Sequence, residues 1–322
     1  MSLRAPPPRL VEDGRIVAFG MFAGAVPDPN LADHRPWGPA SGLRLKRWQH
    51  LAVVHPEVAL TFAVVDVGYL RLGWVQVIDR ATGARFQVER KAPWLDVRVA
   101  PQLRDDRSWL RSRGLRVEIH SHLDAQRHAI ELDAGSVSAR LACHADAATP
   151  LEVCLPVGRG RALWSHKVPL PVSGTLAWGD RRWTFDPAVT TGIFDIHQAH
   201  YPHRTWWKWG TFAGSDDRGR RIGVNLTRNV VEDPALHENA VWIDGALSLL
   251  PPPTFAVDAE PWTATAEGVD LRFTGVGERW EALNAGLLVS RFRQRYGGWT
   301  GQVRGIAVRD AWGLAEDHTS AW

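Results

Sequence analysis

The sequence predicts an all-β protein built from antiparallel barrels or sandwiches. Three observations predict it: short stretches alternate apolar and polar residues with period two, Gly- and Pro-containing turns separate them, and no long segment of 3.6-residue period competes. A length of 322 residues suits two β units. Gly, Pro and Ala gather from Thr149-Pro150 to Val157-Gly-Arg-Gly160, which sets the expected boundary and gives units of 1–158 and 159–322.

The elements follow in order. Leu60–Gly68 reads as a strand because β-branched and aromatic residues fill it. Leu70–Asp79 alternates around Trp74 and ends in the turn Arg80-Ala-Thr-Gly83. Arg116–Asp124 alternates polar and apolar residues. Ala129–Asp133 and Ser136–Ala142 form a hairpin about Ala134-Gly135, and Thr175–Trp178 pairs with Arg181–Phe185 about Gly179-Asp180. Val241–Leu249 folds back at Asp244-Gly245, and Trp262–Phe273 does so at Glu267-Gly268. Pro251–Pro253 is a stiff connector. Short helical turns are expected around Pro101–Arg113, Asp195–His200 and Asp233–Glu238.

Composition narrows the function. The chain holds 17 tryptophans, three of them within Trp206-Trp-Lys-Trp209. Indole is large, flat and apolar with one N–H that needs a partner, so this usage implies a wide aromatic core or an aromatic-walled cavity. A π-wall suits flat, apolar or cationic ligands. Net charge is +3 with no dense Lys/Arg block, which argues against a nucleic-acid partner. No apolar run is long enough to cross a bilayer, and the start lacks the apolar stretch of a signal peptide, so a cytoplasmic protein without stable membrane insertion is expected. Cys143 and Cys154 are expected to stay reduced there. Phosphate-loop, nucleophile-elbow and Cys-x-x-Cys patterns are absent, which argues against nucleotide hydrolysis, α/β-hydrolase chemistry and Cys-based zinc.

Four constellations carry chemistry. Trp164-Ser-His166-Lys167 precedes prolines that fix its backbone and can aim a titratable group. Asp195 to Trp209 gathers a carboxylate, three histidines and three indoles. There Pro202 interrupts any helix that would align His197, His200 and His203 on a metal, so no metal ligand is assigned, and an acid–base pair of Asp195 with His197 is favoured. His237-Glu238-Asn239 to Trp242 sets acid, amide and indole at a strand mouth. Glu316 and His318, two apart before the terminal Trp322, share one face of an extended strand.

These residues resemble a known family. His166-Lys-x-Pro-x-Pro-Val-x-Gly174, Trp206-x-Lys-Trp-Gly210, Gly223-x-Asn-Leu226, Glu238-Asn-Ala-x-Trp-x-Asp-Gly245, Ser290-x-Phe-x-Gln294 and Glu316-x-His318 together resemble bacterial domain-of-unknown-function family 2804, over most of the chain and most densely beyond residue 160. The general pattern also resembles the double-calycin, lipocalin-like proteins that include carotenoid hydratases and related cyclases. That likeness implies two antiparallel lipocalin-like (calycin) barrels or half-barrels packed together.

The expected activity is cofactor-free hydration, cyclisation or isomerisation of an apolar, isoprenoid- or polyketide-like molecule in a Trp-lined barrel cavity. Asp195 or Glu316 would donate a proton from a carboxyl raised by burial, with Glu238 as a further acid–base group. His197 or His318 would relay the proton, and Trp206, Trp207, Trp209 and Trp242 would steady positive charge. Trp164, His166 and Asn239 would contact the ligand. A non-catalytic carrier of a lipid-like molecule and a carbohydrate-active β protein are the alternatives.

Overall fold

Strand accounts for 64% of the chain and helix for 5%, so alternation organises the molecule and the few helical turns only connect it. The computed structural model describes residues 3–285 and 288–321. Two antiparallel sheets curl into half-barrels. The first has fourteen strands, whose main path runs in space as Arg85–Ala92, Arg71–Asp79, Val58–Asp66, Lys46–Val54, Thr191–Ala199, Ala162–Trp178, Val137–His144, Arg127–Ala134, Leu115–His122, Asp106–Ser112 and Asp96–Arg98. The second has nine, in the order Ala246–Leu249, Ala240–Ile243, Arg221–Asn229, Arg204–Ser215, Ile306–Ala321, Leu288–Val303, Val269–Ala285, Trp262–Ala266 and Thr254–Ala256. The strand Ile306–Ala321 therefore lies in the middle of its sheet.

Local chemistry explains the turns. Asp244 and Gly245 both take positive φ, 48° and 82°, as a two-residue hairpin turn demands. That tip packs on the first sheet: a Cβ on Gly245 would meet the Ala147 carbonyl oxygen at 2.0 Å, and Thr149 N donates to Gly245 O. The Gly158–Gly160 cluster is also a hairpin turn, closed by Val157 N on Arg161 O, and joins the paired strands Leu151–Pro156 and Ala162–Trp178. The changeover between sheets falls later, between Ala199 and Arg204.

Two expected helical turns are strands. Asp106–Ser112 pairs on both sides, and Thr191–Ala199 lies between Lys46–Val54 and Ala162–Trp178. The run Ile193-Phe194-Asp195-Ile196 fills a central strand with β-branched and aromatic side chains, and two neighbours satisfy its backbone. Residues 233–238 do make a turn, closed by Leu236 N on Asp233 O. Among the described residues no helix is long and apolar enough to cross a membrane.

Parity sorts the side chains. Leu51, Val53, Phe62, Val64, Val75, Phe194 and Ile196 enter the core of the first half-barrel. Their neighbours Trp48, His50, Val65, Trp74, Asp195 and His197 line a cavity that residues of the second sheet complete. Phe212, Val224, Leu226, Trp262, Phe273 and Trp299 fill the second half-barrel. Both interiors hold packed apolar clusters, and a cavity lies between them.

Candidate active site

Strand register aligns two rows of polar side chains across this space. On the first sheet, antiparallel pairing sets Lys167 beside Asp195, Asp195 beside His50, and continues through Ala63 to Trp74 and Glu89. Two residues along each strand, the next row reads Ser165, His197, Trp48, Val65, Leu72 and Lys91. On the second sheet one row reads Thr227, Trp209, Glu316, Gln294 and Arg279, and the next Asn229, Trp207, His318, Phe292 and Glu281. Lys91 and Glu281, one from each sheet, form an ion pair.

The space between the rows is a cavity of about 160 Å³. At a liquid-water share of about 30 Å³ each, that leaves room for roughly five waters or one small organic molecule. The lining turns apolar at Val65 and Leu72 of the second row and continues along the strands through Val67 and Leu70 on one sheet and Leu283, Leu288 and Val289 on the other.

The charged end is tightly bonded. Lys167 Nζ donates to Asp195 Oδ1 at 2.5 Å, and Trp48 Nε1 reaches Asp195 Oδ2 at 3.3 Å. Burial works against charge on both members of the pair. For Lys167, the carboxyls of Asp195, Glu238 and Glu316 outweigh burial and raise the ammonium. For Asp195, the Lys167 charge and hydrogen bond outweigh burial, so the carboxyl sits below its ordinary value. Asp195 is thus ionised, which corrects the expectation that burial would let it hold a proton.

Glu316 behaves differently. Burial pushes it up to about 7, although Trp207 Nε1 donates to Oε2 at 2.9 Å and Gln294 Nε2 to Oε1 at 2.6 Å. Glu238 is also raised, first by burial and then by Asp195, against the pull of Lys167. The histidines are neutral: burial lowers His197 and His318 to about 3 and His50 to about 4. His197 stacks on Trp48 at 4.1 Å and meets Tyr201 Oη at 2.7 Å through Nε2. His318 abuts Trp207 at 3.8 Å, with Ser290 Oγ 3.2 Å from its Nε2. Such weak imidazole bases suit hydrogen bonding better than the proton relay expected of them.

Seven of the residues singled out in the sequence meet here: Asp195, His197, Trp207, Trp209, Glu238, Glu316 and His318 all line the cavity. Five do not line it. Trp164 and His166 have the parity of Val168 and Leu170 and lie in the first half-barrel, bonded to Glu152. Trp242 is buried at the contact between sheets, with Nε1 on Thr149 O at 2.7 Å. Asn239 braces the neighbouring strand by accepting from Thr227 N at 2.6 Å. Trp206 alternates out to solvent and is 39% exposed. Trp322 lies outside the described residues.

Lys167, Trp48, His50, Tyr201 and Arg279 also line the cavity and were given no role from sequence. A signal existed for three of them. Lys167 is a charge inside a proline-stiffened apolar run, and Trp48 and His50 share the parity that turns away from Leu51 and Val53.

A family model described as domain of unknown function (DUF2804) matches residues 2–322, and the chain belongs to that family. No curated protein matches it. Among solved structures the chain is similar to kievitone hydratase from Nectria haematococca, with 11% identity over 86% of this chain and 88% of that one and a TM-score of 0.52. At that identity the likeness shows a shared fold.

Proposed function

We propose that this member of the DUF2804 family binds an apolar, isoprenoid- or polyketide-like molecule between its half-barrels and hydrates a carbon–carbon double bond by cofactor-free acid–base chemistry. The observation that carries this reading is Glu316, a buried carboxyl raised to about 7 beside the indoles of Trp207 and Trp209. An acid that titrates near working pH combines a useful protonated fraction with a real tendency to give its proton up. The fold shared with a hydratase supports the same reading.

The step balances with water alone. Glu316 transfers its proton to one carbon of the double bond, and positive charge develops on the other. The faces of Trp207 and Trp209 stabilise that charge by about 0.5–2 kcal/mol each. Water adds to the cationic carbon, and its surplus proton returns to Glu316 directly or through Glu238. Capture by a group within the substrate gives cyclisation instead, and loss of a neighbouring proton gives isomerisation. The Lys167–Asp195 pair keeps two opposite charges fixed at the polar end, where Lys167 has donors left for a substrate oxygen. The apolar residues beyond take the hydrocarbon.

The test is indole fluorescence during titration with isoprenoids and polyketide phenols, followed by mass spectrometry of the mixture. Saturable quenching with gain of one water is expected, and Glu316→Gln should quench alike while converting at least about a hundredfold more slowly. Quenching by the wild-type protein with no product across the panel would replace catalysis with carriage of the ligand.

A further inference from the structure

We propose a second site, for a divalent transition metal of the zinc class, on the outer face of the first half-barrel at Asp105, His120 and His122. One ligand atom from each of the three lies within 4.8 Å of the others. Strand register builds the group. His120 and His122 stand two apart on Leu115–His122, so both leave the face that buries Ile119 and Ser121. The pairing of Ser121 with Asp106 carries Asp105 to the same strand end. The imidazoles stack at 5.6 Å with 23° between planes, and His120 Nε2 is 2.7 Å from Asp105 Oδ1.

The donor set selects the ion. Two imidazole nitrogens and a carboxylate oxygen suit zinc and its neighbours, leaving one position for water, whereas calcium and magnesium take oxygen ligands. Metal here would replace the proton now shared between His120 and Asp105. Nearby cations are engaged elsewhere: Arg104 with Asp124 at 3.1 Å and Arg107 with Glu118 at 2.7 Å. None of the three ligands lines the cavity.

The role would be a clip. Asp105 ends the connection between Asp96–Arg98 and Asp106–Ser112, and a metal would pin it to the strand Leu115–His122. The same connection accepts Gln198 Nε2 at Pro101 O, 3.1 Å away, and Gln198 adjoins His197 of the cavity. Any stabilisation by metal would therefore act on a segment that braces a cavity strand from behind.

The experiment uses the full chain, stripped with a chelator, and zinc chloride alone as probe. Calorimetric titration near pH 7.5 should show one equivalent bound at micromolar affinity or tighter. His120→Ala with His122→Ala should weaken that binding roughly a hundredfold, and the melting temperature should rise by a few degrees with zinc in the wild-type chain only. Both histidines face outward, and circular dichroism checks that the double variant folds. Equal zinc uptake by wild type and double variant, or no stoichiometric uptake by either, overturns the proposal.

Discussion

Glu152 and Glu316 are both buried glutamates that accept an indole N–H, and they sit in different surroundings. Glu152 takes Trp164 Nε1 at 2.6 Å and lies 2.9 Å from His166 Nδ1, inside the packed first half-barrel. Glu316 takes Trp207 Nε1 at 2.9 Å and Gln294 Nε2 at 2.6 Å, and fronts the space between the sheets. A buried acid with an aromatic partner is thus not enough to mark a site. Glu152 has no room for a third molecule and is part of the interior. Glu316 has volume in front of it, a second raised carboxyl in Glu238 and a charged pair in Lys167 and Asp195.

The sharpest way to break this comparison is to change each acid and read both activity and stability. Glu316→Gln should cut turnover by about 10²–10⁴-fold with the fold retained. Glu152→Ala should cost about 3–5 kcal/mol in urea unfolding, because it leaves Trp164 Nε1 and His166 Nδ1 buried and unpaired. Similar turnover loss from both, at equal stability, would erase the distinction.

Titration offers the next test. Glu316 holds its proton to about 7 in the folded chain, above the ordinary 4.5, so its stabilising effect is complete below 4.5 and lost as pH rises through 7. A shift of that size is worth about 3 kcal/mol. The histidines act in the opposite sense. With folded values of about 3 for His197 and His318, their contribution is present above 6.5 and lost as pH falls toward 3. The stability of wild type relative to Glu316→Gln should therefore fall by about 3 kcal/mol between pH 4.5 and 7.5, a difference in which the histidine terms cancel. Parallel curves would place Glu316 in contact with bulk water.

Smaller effects sharpen the role of indole. Trp207→Phe removes a donor that favours the ionised carboxyl, so infrared titration of Glu316 should find its pKa higher still. Trp206→Ala, one residue away and facing solvent, should change stability by less than ~0.5 kcal/mol and leave ligand quenching by the cavity indoles unchanged.

Much of the fold was legible. The Ala134-Gly135, Gly179-Asp180, Asp244-Gly245 and Glu267-Gly268 turns all join paired strands, because turn chemistry is local. The site was legible where spacing of two coincided with a strand, as for Glu316 and His318. It was obscured at 195–200, where three-residue spacing of histidines suggested a helical turn and the neighbouring strands imposed extension. Parity also remained hidden: Trp164 and His166 share a motif with Lys167, yet only Lys167 faces the cavity. Which face of a strand turns inward depends on partners far away in the chain, and sequence-local pattern does not contain them.

The central position of Ile306–Ala321 has a consequence for biosynthesis. As the ribosome delivers the chain, Arg204–Ser215 and Leu288–Val303 each wait with a bare edge until residues 306–321 arrive to bridge them. Glu316 comes in with that same segment, so the nascent protein lacks its proposed proton donor until its second sheet has closed. Premature release would leave two sticky margins, a state that a cell handles with chaperones or proteases.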